Sequence, residues 1–224
     1  MNEVAAADVL VSWAAGVAGC GALVAWWRIV GPGYLWLAAG TAALLGIPAT
    51  FLDASPASIV ATAAVVVAAA SARRPSQATM ALAAAAVGFA WAGTGSGVVG
   101  ALTAAAFLGG VTSEMLLGHW YLVDPRLPRS ALFRLDAVAV AGLVAEVGWH
   151  VVNGVLDWVP DDAILGWTFI VMAVATAALL GAVAVSLREP AYPAVMAATG
   201  LSYLAVLTAL GTSVVGRILA EGTP

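Results

Sequence analysis

Apolar stretches of 15 to 28 residues follow one another from the first residues to the last, separated only by short polar breaks rich in proline, glycine and arginine. A bilayer-spanning helix needs about 20 apolar residues, and the breaks are too short for anything but turns between antiparallel neighbours. The pattern predicts eight helices, about Ala5–Trp27, Tyr34–Leu52, Ala57–Ala72, Ser76–Gly93, Val98–Val123, Ser130–Leu156, Ala163–Leu187 and Tyr192–Leu219. The third and fourth are short and nearly all alanine and valine. The turns are GPG at Gly31–Gly33, DASP at Asp53–Pro56, RRPS at Arg73–Ser76, DPRLPR at Asp124–Arg129 and REPAYP at Arg188–Pro193. The expected fold is all-α, a polytopic transmembrane bundle of about eight spans forming a single domain.

The basic residues, all arginine, test this division. With turns alternating between the two sides, Arg28, Arg73, Arg74, Arg126, Arg129, Arg134 and Arg188 fall on one side and Arg217 alone on the other. The positive-inside rule makes the first side cytoplasmic, so both termini face out (N-out, C-out). Glu3, Asp8, Asp53, Asp157, Asp161, Asp162 and Glu221 then lie on the outer side. Trp26, Trp27, Trp36, Trp120 and Tyr121 sit near inner ends and Trp91, Trp158 and Trp167 near outer ends, as an aromatic belt requires. No internal repeat emerges from the alanine-rich background. The many small residues point to closely packed helices.

Composition narrows the possibilities. The chain is 63% hydrophobic and 9% charged, with a net charge of −4 and a mean hydropathy of +1.02. These values describe an integral membrane protein, expected in a bacterial or archaeal plasma membrane, with the lipid bilayer as its first partner. Other membrane subunits or further copies of the chain are expected as protein partners, and nucleic acid is not. The start, MNEVAAAD, lacks the basic n-region of a cleaved secretory signal, so the first stretch is read as a helix. Cys20 is the only cysteine, which excludes a four-thiolate cluster or a thiolate zinc site. GSGVVG at Gly95–Gly100 fits the spacing of a dinucleotide fingerprint, but the strand and βαβ unit that give the motif meaning are missing. With no lysine there is no retinal Schiff base.

Chemistry concentrates in the ionisable residues of the apolar stretches. A charged side chain at a helix centre costs on the order of 2.5–3.5 kcal/mol on insertion scales, so each invites a functional reading. On helix six, Glu146, His150, Asn153 and Asp157 follow an i, i+4, i+7, i+11 pattern and predict a polar stripe leading outward. On helix five, His119 is expected roughly 6 Å and Glu114 roughly 13 Å from the inner end, whereas Glu146 lies roughly 19–24 Å along helix six. Ordered by depth, His119, Glu114, Glu146 and His150 form a proton relay across two adjacent antiparallel helices, with His119 and Asp124 at the inner mouth, Asn153 within the stripe and Asp157 at the outer exit. One feature opposes a single line: Glu114 and His119 are about 140° apart around their helix.

Each residue has a plainer reading. His119, followed by Trp120 and Tyr121, fits an interfacial anchor; Glu114 fits a protonated carboxyl bonded to a neighbouring helix; Glu146 and His150 fit a mutually satisfied buried contact. No resident cofactor is expected. A b-type haem or a quinone remains the alternative, with His119 or His150 as ligand and Met115, Met172 or Met196 opposite, although the two histidines fall near opposite surfaces. Glu114, Glu146 and His150 have suitable types for a metal without a spacing signature. Two histidines cannot supply an intramembrane hydroxylase, and no G-x-S-x-G setting is present. Arg126, Arg129 and Arg134 form a cationic surface suited to anionic lipid or an acidic partner, or serve simply as topology signals. The leading expectation is a non-enzymatic, proton-coupled carrier or a proton-conducting subunit; the alternatives are a redox subunit and a non-catalytic scaffold.

Overall fold

The computed structural model describes residues 3–155 and 163–222. Among them are eight α-helices and no strand: α1 Glu3–Trp26, α2 Pro32–Leu52, α3 Pro56–Ala70, α4 Pro75–Ala92, α5 Val98–Val123, α6 Arg129–Val152, α7 Ala163–Arg188 and α8 Tyr192–Gly222. Six of them, α1, α2 and α5–α8, are long and apolar enough to cross a membrane. α3, at 15 residues, is the short one.

The breaks act as the residue types require. Pro32, Pro56 and Pro75 each open a helix, where a missing N–H costs nothing. Ser55 caps α3 by accepting the Ser58 N–H at 3.2 Å. Gly97, at φ +93°, turns the chain from the 3₁₀ turn Gly93–Ser96 into α5. α6 ends four residues earlier than the sequence pattern predicts. Asn153 caps it, Gly154 takes φ +79°, Val155 N–H reaches His150 O at 3.0 Å, and Gly154 N–H reaches Val151 O at 3.1 Å. Those two bonds make a Schellman motif, which the dipeptide Asn153-Gly154 favours and which stops the helix.

α5 is the axis of the bundle. It packs against α1, α6 and α8, and 16 of its 26 residues are buried, whereas only six of 26 are buried in α7, which lies on the outside. The helices approach along α5 through small residues. A Cβ on Gly16 of α1 would sit 2.0 Å from Ala105 O, and one on Gly109 would sit 2.3 Å from Gly16 Cα. A Cβ on Gly110 would meet the Ala139 backbone at 2.7 Å, and one on Gly142 the Phe107 backbone at 2.4 Å. In hydrocarbon, where lipid tails are as apolar as the core, this backbone-to-backbone packing is the main force holding helices together. A Trp13–Thr112 hydrogen bond of 2.7 Å ties α1 to α5, and a Thr176–Thr208 bond of 2.8 Å ties α7 to α8. Large apolar side chains point outward instead: Leu44, Phe51, Trp91, Val152 and Ile164 are exposed.

The two ends of the bundle differ in charge. Arg134 lies over the Trp27 ring, 5.3 Å from its centroid, Gly33 abuts Trp120, and Arg28 lies near Pro75. Arg129 donates to the carbonyls of Glu189, Pro190 and Ala191 in the α7–α8 turn. Seven arginines therefore gather at one end, here called the arginine end. Arg217 lies at the opposite end against Gly100, near which Ser12 of α1 also lies, beside Gly93. Trp26, Trp36, Trp91 and Trp167 are exposed, as expected of belt residues, but Trp27 and Trp120 are turned toward neighbours and Tyr121 is buried against Tyr192.

Substituting Gly109 by valine is expected to destabilise the bundle by about 1–3 kcal/mol or more, because the new atoms meet backbone that cannot swing aside. Gly40→Ala, where nothing lies within 4 Å of the added carbon, is expected to leave the melting temperature in detergent unchanged. Thermal unfolding of the two variants checks both.

Candidate functional site

Close packing sets a constant antiparallel register between α5 and α6. Moving along α5, Gly100 meets Trp149, Thr103 meets Glu146, Phe107 meets Gly142 and Gly110 meets Ala139. Continued to Glu114, the same register reaches Leu135 and Asp136. α8 runs antiparallel to α5 as well, pairing Gly100 with Arg217 and Gly118 with Thr199. These pairings sort the buried ionisable groups into two layers.

The layer toward the arginine end holds Glu114 and Asp136. Glu114 is 1% exposed, and neither of its carboxyl oxygens has a hydrogen-bond partner among the described residues. Asp136, 6% exposed and within electrostatic reach of Glu114, has one oxygen buried and unpartnered. Ser113, the neighbour of Glu114, faces the other way, toward Cys20 of α1.

The layer toward the opposite end is built on Glu146, which is fully buried. Thr103 Oγ1 donates to Glu146 Oε2 at 2.5 Å, and His150 Nε2 lies 3.4 Å from Oε1 without hydrogen-bond alignment. His150, 1% exposed, meets Phe169 edge-on at 5.5 Å. Gly216 of α8 leaves room for the ring, since a Cβ there would lie 2.6 Å from Nε2. Arg217, 8% exposed, donates from Nη2 to Gly100 O at 3.3 Å, and the same carbonyl, 3.2 Å from Thr103 Oγ1, is the alternative acceptor for that hydroxyl's one proton. A carboxyl, an imidazole, a hydroxyl and a guanidinium thus surround one turn of α5.

The geometry does not bring together all the residues of the single relay expected from sequence. The levels of Glu114 and Glu146 are eleven residues apart in the register, about 16 Å along the helices, so the two glutamates do not meet. Glu114 faces Asp136 and Glu146 faces Thr103. Asn153 is not a rung: it is exposed, and its Nδ2 donates to Trp149 O at 2.7 Å at the helix cap. Asp157, the expected exit, lies outside the described residues, and the stripe cannot run helically to it because α6 has already ended. His119 is exposed at the arginine end, 3.3 Å from the Tyr203 hydroxyl, which fits the anchor reading and separates it from Glu114. Asp124 accepts from Arg126 N at 3.2 Å and Arg126 Nε at 3.3 Å, closing a turn rather than forming a mouth. His119 and His150 fall about 30 Å apart by the same register, which excludes one haem bridging both. Among the described residues, no three of His, Cys, Asp and Glu come together as a metal site.

Sequence reasoning missed Thr103, Asp136 and Gly216, and it read Arg217 only as a topology outlier. Asp136 carried a usable signal, an acid two turns into an apolar helix. Thr103 and Gly216 carried none, being single small residues whose roles depend on the neighbouring helix.

Fold and layers together make a helical bundle, with six helices long and apolar enough to cross a membrane and two buried acidic layers. Compared with protein-family models, with curated proteins and with solved structures, the chain matches none.

Thr103→Val is expected to cost about 1–3 kcal/mol by leaving the buried Glu146 oxygen without its donor, while Thr103→Ser keeps the hydroxyl and most of the stability. Thermal unfolding of the two purified variants checks the difference.

Proposed function

We propose that this chain handles protons in a bacterial or archaeal plasma membrane, as a proton-coupled carrier for a small solute or as the proton-conducting subunit of a larger assembly. In this reading all eight helices cross the bilayer, the arginine end faces the cytoplasm and both termini lie outside. The observation that carries the proposal is Glu114: a carboxyl about two-thirds of the way along the central helix, 1% exposed, with neither oxygen hydrogen-bonded by a described residue. A carboxyl kept only to lock helices together is expected to be bonded across the interface, as buried polar groups generally are. An unbonded acid in hydrocarbon instead favours a group that takes up and releases a proton.

Asp136 gives Glu114 a partner. Two facing carboxyls in an apolar interior repel when both are ionised, and a proton held between them relieves the repulsion. Glu146 forms a second station toward the outer face, with Thr103 donating to one oxygen and the His150 imidazole beside the other. The two stations are too far apart for direct transfer. Passage between them requires water admitted by a local opening of the bundle, which fits a gated carrier better than a fixed wire.

In proteoliposomes with an internal pH dye, Glu114→Gln is expected to reduce proton uptake at least tenfold with the protein still folded. Unchanged uptake in Glu114→Gln and Asp136→Asn alike would overturn the proposal and favour the scaffold reading.

A further inference from the structure

The arginines at the arginine end are not equivalent. Arg126 binds Asp124, Arg129 binds three carbonyls of the α7–α8 turn and Arg134 covers Trp27. The surface first read as lipid- or partner-facing is therefore largely engaged within the chain. Arg28 and Arg73 are exposed and have no side-chain hydrogen bond or ion pair among the described residues, and Arg74 has only a 3.5 Å contact with Gln77.

These three residues border a run of connected recesses on the α3–α4 flank. The first, about 470 Å³, is walled by Val67 and Ala70 with Arg73 and Arg74 at its rim. It shares Val67 with a second recess of about 450 Å³ between α3 and α4. That one shares Met80 with a third of about 200 Å³, which Trp26 and Arg28 border. The shared walls are apolar and open, with Val67 55% and Met80 72% exposed. The groove thus has its arginines together at the arginine end and an aliphatic floor of Val67 and Met80 beyond them.

Helix length adds a reason for lipid to sit here. This rests on the proposed reading in which all eight helices cross the bilayer: the 15 residues of α3 then span only about 22 Å of a hydrocarbon core of about 30 Å, so the bilayer thins beside it or its flanking groups reach into the core. Either adjustment brings Arg73 and Arg74 to the phosphate level of lipids whose chains lie along the groove.

We propose that this flank is a binding site for an anionic phospholipid, with its phosphate held among Arg73, Arg74 and Arg28 at the arginine end and an acyl chain running away from them over Val67 and Met80. Arg73, Arg74 and Arg28 are the arginines that border these recesses, whereas Arg126, Arg129 and Arg134 are engaged within the chain. The site does not depend on the proton stations.

Native mass spectrometry of the full chain, released from detergent after exposure to equal phosphatidylglycerol and phosphatidylcholine, tests it. Phosphatidylglycerol is expected to be retained preferentially, and Arg73→Gln with Arg74→Gln to reduce its retention about ten- to thirtyfold. Arg126→Gln should change nothing, the paired Arg73→Lys and Arg74→Lys should keep the preference, and millimolar inorganic phosphate should not displace the lipid. Equal retention of the two lipids, an equal loss on Arg126→Gln, loss of the preference in the lysine pair, or displacement by phosphate would each overturn the proposal.

Discussion

Backbone contact at a few glycines along α5 sets the register that places the buried ionisable groups Glu114, Asp136, Glu146 and His150. Gly16 against Gly109 fixes α1, while Gly110 against Ala139 and Gly142 against Phe107 fix α6. None of these positions accepts a Cβ without displacing backbone, so the helices cannot slide by a turn without losing the contact. Membrane helices lack the hydrophobic drive that forces soluble helices together, and close van der Waals packing takes its place. The register that follows is a matter of small residues, yet it decides the placement of the ionisable ones.

Its chemical consequence is a division of labour along the bundle. Toward the arginine end, Glu114 and Asp136 lie within electrostatic reach of each other in a region with few donors. Toward the end opposite the arginines, Glu146 sits among Thr103, His150 and the Gly100 carbonyl that Arg217 also engages. The first environment leaves charge poorly compensated, and the second offers a donor and a cation close by. Two carboxyls in such different settings suit binding and release at different levels of the membrane, which is the sense in which the proton-handling proposal reads them.

Much of the architecture was legible because hydrophobic length and turn residues act locally. α5 begins and ends where the pattern places it, and the arginines separate to the two ends as alternation requires. The end of α6 was misplaced although Asn153-Gly154 announces a stop, because apolar content continues to Leu156 and outweighed the cap. The relay was misassembled for a different reason. Depth along two helices can be counted from sequence, but which residues face each other depends on the crossing register, and that is set by Gly110 and Gly142, whose importance shows only against Ala139 and Phe107. Asp136 went unnoticed for the same cause: its partner lies on another helix. Glu114, Glu146 and His150 were identifiable because a buried ionisable residue stands out in so apolar a chain.

A double-mutant cycle on unfolding free energy tests most directly whether the acids occupy two layers. Glu114→Gln and Asp136→Asn, singly and together, are predicted to couple by at least about 0.5 kcal/mol, as groups in contact do, whereas Glu114→Gln and Glu146→Gln add independently. Coupling between Glu114 and Glu146 with none between Glu114 and Asp136 would contradict the register and the two-station account built on it.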